Sequence, residues 1–417
     1  MKFPARLFAA FLGGAMLPIT GSLTRAQNDP NYLMRTPPYQ VYQTPEPRDY
    51  NLKWGRVTGR LHGSLQTEFN DNINLVDERP ESDLIFFPHI GIGFFWPLSE
   101  VNRLQLDLGF GYRAYLDHSE LDSVQVSPDS QFNYQITVGK VRVLFRDNFH
   151  IQVDPTTQGQ ISGTEGNIIN FRRLYNDAGL LGEWETFRDV TFITAYDYVI
   201  DRSLSDQFQE FDRQDHTVAL AALYNVTPRF AAGLNSSLTF SDYDEDFQND
   251  GMIYSIGPQV TLRPTQFITL EGNVSYTVSD FDESGRVNDQ SDYSGLNYGA
   301  GIRHIMNSRI THYLRVSKYL LPGYGSNYAD VLNLQYGLSW RLNASITLNS
   351  SLAYENLIAS IENGEKADRY LFYMGTGLRI SQQWHAGVGY SFSWKNSNVS
   401  GRDYTQNRIT LDIRHEF

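Results

Sequence analysis

Cysteine is absent from the 417 residues. That excludes disulfides, thiolate metal sites and a lipid-modified amino-terminal cysteine. A long apolar run is missing as well. Beyond the first 26 residues the most apolar stretch, Leu84 to Leu98, is interrupted by Pro88, His89, Gly91 and Gly93. It falls short of the ~20 residues a spanning helix needs, which excludes a helical membrane protein. No Walker loop, dinucleotide fingerprint or zinc signature occurs. The net charge of -13 is acidic, and no nucleic-acid partner and no cofactor are expected.

What the chain does have is aromatic residues, Tyr 26 and Phe 25, in a sequence whose mean hydropathy of -0.40 is that of a water-soluble protein. A transmembrane β-barrel reconciles the two, because half of each strand faces water and aromatics gather at the membrane interfaces. No break in composition after residue 55 divides the chain into smaller domains.

Lys2 and Arg6 precede an apolar stretch from Leu7 to Ile19 and then Thr24-Arg25-Ala26. Residues 1–26 read as a secretory signal peptide cleaved before Gln27. The alternative, an anchor helix, is weaker because Gly13, Gly14 and Pro18 interrupt the stretch. Residues 27–55 carry Pro30, Pro37, Pro38, Pro45 and Pro47 among Tyr32, Tyr39, Tyr42 and Tyr50. Proline lacks the N–H of a ladder, so this is an extended periplasmic leader. It is either a disordered tether or a docking arm for a periplasmic partner.

Residues 56–417 read as one barrel. At the carboxyl terminus Ile409, Leu411, Ile413, His415 and Phe417 alternate with Arg408, Thr410, Asp412, Arg414 and Glu416. Successive strand side chains point to opposite sides, so this is a wall between lipid and water. The first strand, Val57 to Phe69, is expected to pair with it and close the barrel. Comparable alternations run over Leu104 to Leu116, Phe230 to Phe240, Ile268 to Val278, Leu332 to Leu342, Ile346 to Tyr354, Tyr370 to Ile380 and Trp384 to Trp394.

Tight connections near Ser99 to Asn102, Gly139-Lys140, Phe187 to Asp189, Thr227-Pro228, Pro264-Thr265, Asn307-Ser308, Asn343 to Ser345 and Gln382-Gln383 alternate with longer polar ones. The latter lie near residues 70–82, 117–130, 147–168, 201–215, 241–251, 279–292, 320–330, 356–368 and 396–404. Short periplasmic turns and long outer loops show this asymmetry, and they imply an antiparallel up-and-down barrel of about eighteen strands with both termini periplasmic. A soluble solenoid or propeller would show a fixed repeat length, which is absent.

Asp71-Asn72-Ile73, then Ser82-Asp83-Leu84-Ile85 leading to Pro88, then Leu104 to Tyr115 with Gly111-Tyr112, resemble the opening of the β-barrel porin 2 family. The resemblance covers most of the chain after residue 55, through degenerate strand patterns. It implies an outer-membrane protein of Gram-negative bacteria; some members are encoded with exopolysaccharide systems, and their transport role is largely inferred.

The polar phase of the strands collects Arg60, Arg103, Arg113, Arg303, Arg315, Arg341, Arg369, Arg379, Arg408 and Arg414 as candidate pore-lining residues. The acids placed on that face are Glu68, Asp107, Glu183, Glu271, Glu355, Asp412 and Glu416. Excess guanidinium in a water-filled lumen favours anions, and arginine pairs bidentately with carboxylate and phosphate. The plainer reading is that lumenal arginines pair with acids across strands, as Arg408 and Arg414 do with Asp412 or Glu68. Tyr115, Tyr313 and Tyr373 are expected to offer stacking surfaces to sugars.

The loops carry the opposite charge: Asp77, Glu78, Glu81 and Asp83; Asp242, Asp244, Glu245 and Asp246; Asp280, Asp282, Glu283, Asp289 and Asp292. They read as solvated rims, and no metal ligands are assigned. An outer-membrane enzyme would need a catalytic constellation. His304, His312 and His415 fall in the lipid-facing phase, and His62 beside Ser64 is the one histidine read as lumenal, so no enzyme is expected. The remaining class is a plugged structural barrel, with the loop from Asp147 to Gly166 folding inward. The leading expectation is a porin-like channel in contact with outer-membrane lipid, passing small hydrophilic, anionic solutes. Export of an acidic polysaccharide with a periplasmic partner bound at residues 27–55 is the alternative.

Overall fold

The computed structural model describes residues 50–152, 172–186 and 189–417. The signal peptide, all but the last six residues of the leader, and most of the Asp147 to Gly166 loop lie outside the described residues. Within them the secondary structure is strand, turn and two short 3-10 turns, Ser119–Leu121 and Asp206–Phe211.

The chain begins with β1 (Leu52–Trp54), β2 (Val57–Asn70), β3 (Asp83–Pro97), β4 (Arg103–Tyr115), β5 (Ser123–Val126), β6 (Gln131–Val138) and β7 (Val141–Gln152). It continues through β8 (Arg173–Glu185), β9 (Val190–Ser203), β10 (Arg213–Thr227), β11 (Phe230–Tyr243), β12 (Gly251–Thr265), β13 (Ile268–Phe281) and β14 (Ser294–Ile305). The last strands are β15 (Ile310–Pro322), β16 (Tyr328–Arg341), β17 (Ile346–Ala359), β18 (Lys366–Arg379), β19 (Trp384–Ser397) and β20 (Tyr404–Glu416).

All belong to one antiparallel sheet. Its ends meet: β2 pairs with β20 in the register Leu65↔Ile413 and Phe69↔Ile409, and the Phe417 N–H donates to the Leu61 carbonyl at 3.1 Å. β1 is a three-residue hairpin arm folded onto β2, and β5 and β6 share the face of β4 as one broken strand. Eighteen strands therefore go round a closed barrel among the described residues. Closure leaves no edge, so the ladder supplies the backbone polar groups of the wall with partners without water.

The outer face is apolar. Leu234, Leu352 and Leu411 stand exposed along mid-strand, and the tryptophans Trp54, Trp96, Trp184, Trp340 and Trp384 stand at the turn ends. Toward the loop ends, outward tyrosines bond to polar groups just above them: Tyr354 Oη donates to Asp368 Oδ1 at 2.7 Å and Tyr390 Oη to Asn407 Oδ1 at 2.7 Å. Aromatic belts with polar anchors suit the two interfaces of a bilayer.

Three differences from the sequence reading have physical causes. The full-length strands run 12 to 15 residues, beyond the about 9–11 a bilayer needs, because the ladder continues above the tyrosine belt where both faces are polar. The 117–130 stretch contains β5, a four-residue strand whose Ser127-Pro128-Asp129 break disguises it. The turn expected at Pro264-Thr265 comes later, at Gln266-Phe267, since β12 carries an irregularity between Leu262 and Thr265. At Gly139 the β6–β7 turn uses φ +61°, which glycine adopts without a Cβ penalty.

Candidate functional site

Alternation fixes which side chains enter the barrel. On β2, Leu65 and Phe69 are exposed outward, so Arg60, His62, Ser64, Gln66 and Glu68 point in. By the same parity all ten candidate arginines are inward. They stand on β2 (Arg60), β4 (Arg103, Arg113), β14 (Arg303), β15 (Arg315), β16 (Arg341), β18 (Arg369, Arg379) and β20 (Arg408, Arg414).

Their partners divide them. Arg60 grips Glu416 bidentately, Nε at 2.9 Å and Nη2 at 2.6 Å, and Arg414 Nε lies 2.8 Å from the same carboxylate. Arg113 lies 3.5 Å from Glu68. Arg369 Nε donates to Glu355 at 2.7 Å. The expected pairing of Arg414 with Asp412 or Glu68 is thus replaced. Glu416 lies between two guanidiniums at the β2–β20 closure, and Glu68 is engaged by Arg113 from two strands away. Arg103 and Arg408 are also engaged. Arg303, Arg315, Arg341 and Arg379 have no ion pair within 4 Å among the described residues, and Arg315 faces Glu271 across Gly301. These four occupy the contiguous β14–β18 wall, with Arg341 and Arg379 exposed at its turn end.

Apart from Glu183, the β7–β10 wall carries charge that the sequence reading missed. Arg142 pairs with its register partner Glu183. Arg146 Nη2 lies 2.8 Å from Asp177 and 2.6 Å from Asp197, and Arg213 reaches Asp201 at 3.4 Å and Asp215 at 3.1 Å. These three guanidiniums face five carboxylates, so this side of the lumen is acidic rather than basic. The stretch from residue 131 to 184 alternates poorly, and its signal is charge recurring at even spacing, as in Arg142 and Arg146 or Asp177 and Glu183.

Histidine placement also departs from expectation. His304, His312 and His415 face outward: His304 Nδ1 is 3.0 Å from His312 Nε2, and His415 packs against Trp384 and Phe417. His62, however, is not the sole lumenal histidine. His89, His150 and His385 share the inward parity, and the His62 and His89 rings lie 5.6 Å apart. His62 sits across Gly91, where a Cβ would collide with its ring. Tyr115, Tyr313 and Tyr373 are inward, but the Tyr313 ring is laid against Gly337 and the Tyr373 ring against Gly375. The close approach of ring to backbone needs glycine at both places.

At the long-loop end of the barrel, Asp83 accepts from the backbone N–H groups of Leu116 at 2.9 Å and His118 at 3.0 Å, and lies 2.7 Å from His118 Nδ1. The hydrogen bond to Asp83 raises the His118 pKa above its ordinary 6.5, with Glu81 and Glu120 adding to it and burial opposing.

No family model matches the chain, and no curated protein matches it. Among solved structures it resembles OccK2 (OpdF) of Pseudomonas aeruginosa, with 10% identity over 86% of this chain and 98% of that chain and a TM-score of 0.50. OccK2 in complex with glucuronate aligns at 11% identity over 87% and 98%, again with a TM-score of 0.50. The fold is that of a porin barrel. At such identity the likeness is one of architecture, and the chemistry of the wall has to be read from its own residues.

Proposed function

We propose that the chain is an outer-membrane channel through which small hydrophilic, anionic solutes diffuse passively. The observation that carries this reading is the set of four inward arginines on β14 to β18, Arg303, Arg315, Arg341 and Arg379, without close ion pairs among the described residues. A closed barrel of this strand number is wide enough for water. Guanidinium on its inner wall attracts carboxylates and presents a fork that matches them. A barrel of similar architecture has been crystallised with glucuronate, a sugar acid of that class.

The rest of the reading follows from the same architecture. Residues 1–26 direct export and are removed. The leader and Phe417 lie on the periplasmic side, where short turns and the tryptophan belt meet that leaflet. The β-barrel porin 2 family remains the kinship we propose. Polysaccharide export is the competing use of such a wall, and it requires a periplasmic partner at residues 27–55.

Osmotic swelling of proteoliposomes containing the refolded barrel tests this. Gluconate is expected to enter several times faster than glucose, a neutral solute of similar size. Equal rates would remove the arginine wall from the account, and no entry of either would remove passive passage through the unaltered barrel.

A further inference from the structure

The loops of the barrel do more than stand around its rim. The Phe211 ring, at the end of the Asp206–Phe211 turn between β9 and β10, lies 4.9 Å from Tyr324 and 5.7 Å from Phe247. Tyr324 belongs to the connection between β15 and β16, and six strands separate the two loops along the wall. At ~4.8 Å per strand and ~40° tilt, that is roughly 35–40 Å of wall. Rings from two such loops touch only if the loops turn in over the opening.

A seam of buried hydrogen bonds joins their neighbours into the same body. Gln248 Nε2 donates to the Gly323 carbonyl at 2.8 Å, and Asn249 Nδ2 to Asn327 Oδ1 at 2.8 Å and to the Asp289 carbonyl at 2.7 Å. Asp289 accepts from the Asn327 N–H at 2.8 Å and from the Ser360 hydroxyl. The connections β11–β12, β13–β14, β15–β16 and β17–β18 are thereby tied together. Buried polar groups bonded to one another across four connections favour a single arrangement.

One guanidinium fastens the β9–β10 turn to the wall. Arg173, at the start of β8, donates to Asp201 Oδ1 at 2.5 Å, to Asp212 Oδ1 at 3.1 Å, and to the carbonyls of Phe208 at 3.1 Å and Phe211 at 2.9 Å. Beside it the Tyr324 phenol sits against Arg213, and burial pushes its pKa up to about 12. The centre of this assembly is Phe208, Phe211, Phe247 and Tyr324.

We propose that this inward-turned cap, latched by Arg173, is the size-limiting constriction of the channel. Solutes are then sorted by size at the loop end and by charge along the arginine-bearing wall below. The inference rests on the channel reading and adds where its limit lies. Arg173 is a positioning residue, since it contacts the cap and not the solute.

The test is single-channel conductance together with the largest neutral polyethylene glycol that enters the pore. Wild type is compared with the double variant Phe211→Ala/Tyr324→Ala, which leaves the latch intact, and with Arg173→Lys, which keeps the charge but loses the fork. Folding is followed by the mobility difference between unheated and heated samples in detergent gels. Larger conductance and a higher polymer limit are expected in both, with reversal potential unchanged. A silent wild type whose double variant conducts also supports the cap, as a full closure. A conducting wild type with unchanged conductance and polymer limit in the folded double variant overturns the cap alone. Folded proteins that are silent in every form overturn the channel reading and the cap with it.

Discussion

Glu355 and Arg369 face each other as register partners on β17 and β18, the guanidinium Nε 2.7 Å from the carboxylate and both side chains buried. Asn333 Nδ2 donates to the other carboxylate oxygen at 3.0 Å. Such a pair is held less by its own attraction than by the cost of separating it. Arg369→Met strands a buried carboxylate and is expected to cost about 3–5 kcal/mol, whereas Arg369→Met/Glu355→Leu recovers most of the loss. Urea midpoints of the folded band on unheated gels measure both; equal midpoints for single and double variants would contradict the argument.

Charge selectivity should follow the arginines that make no close ion pair. Replacing Arg303, Arg315, Arg341 and Arg379 together by Gln is expected to shift the reversal potential toward cations. Replacing Arg60 with Glu416, by Arg60→Gln/Glu416→Gln, removes opposite charges together and is expected to leave it nearly unchanged. A larger shift from the second set would mean that the paired groups govern permeation.

His118 gives the β4–β5 connection a pH dependence. Its pKa is raised in the folded protein by Asp83, so its contribution is complete below the ordinary 6.5 and disappears as pH rises through the raised value. Proteolytic nicking near Asp117–Glu120 is expected to increase with pH across that window in wild type. His118→Gln should be nicked without that dependence. Identical pH profiles would remove His118 from the account.

Neighbouring positions on β20 should differ sharply. Leu411 stands 56% exposed on the outer face, and Thr410 points inward. An arginine at a lipid-facing site near mid-bilayer costs about 2–4 kcal/mol. Leu411→Arg is therefore expected to lower the folded fraction on refolding into lipid, while Thr410→Arg folds as wild type does. Comparable folding of both variants would contradict the assignment of faces.

How much of this was legible in the sequence follows from what repeats locally. The phase of β20, Ile409 to Phe417, needs only alternation, and all ten arginines could be placed inward from it. The strand count was legible too, because a tight turn such as Asn307-Ser308 and an acidic loop such as Asp280 to Asp292 punctuate each hairpin. Partners were not legible: Arg60 and Glu416 are 356 residues apart and meet only once β2 closes on β20. The ends of strands were lost above the tyrosine belt, where Ser241-Asp242-Tyr243 is polar on both faces. The cap was hidden for the same reason, since Asn249, Asp289 and Asn327 look like ordinary loop residues until they bond to one another.

The reversal potential of single channels in a planar bilayer, with the refolded barrel held across a salt gradient, tests the central claim most directly. An open channel with a potential displaced toward the anion value is the predicted result. A conducting but cation-selective pore would contradict the arginine wall, and a folded barrel that never conducts, even with Phe211 and Tyr324 replaced by Ala, would contradict the channel itself.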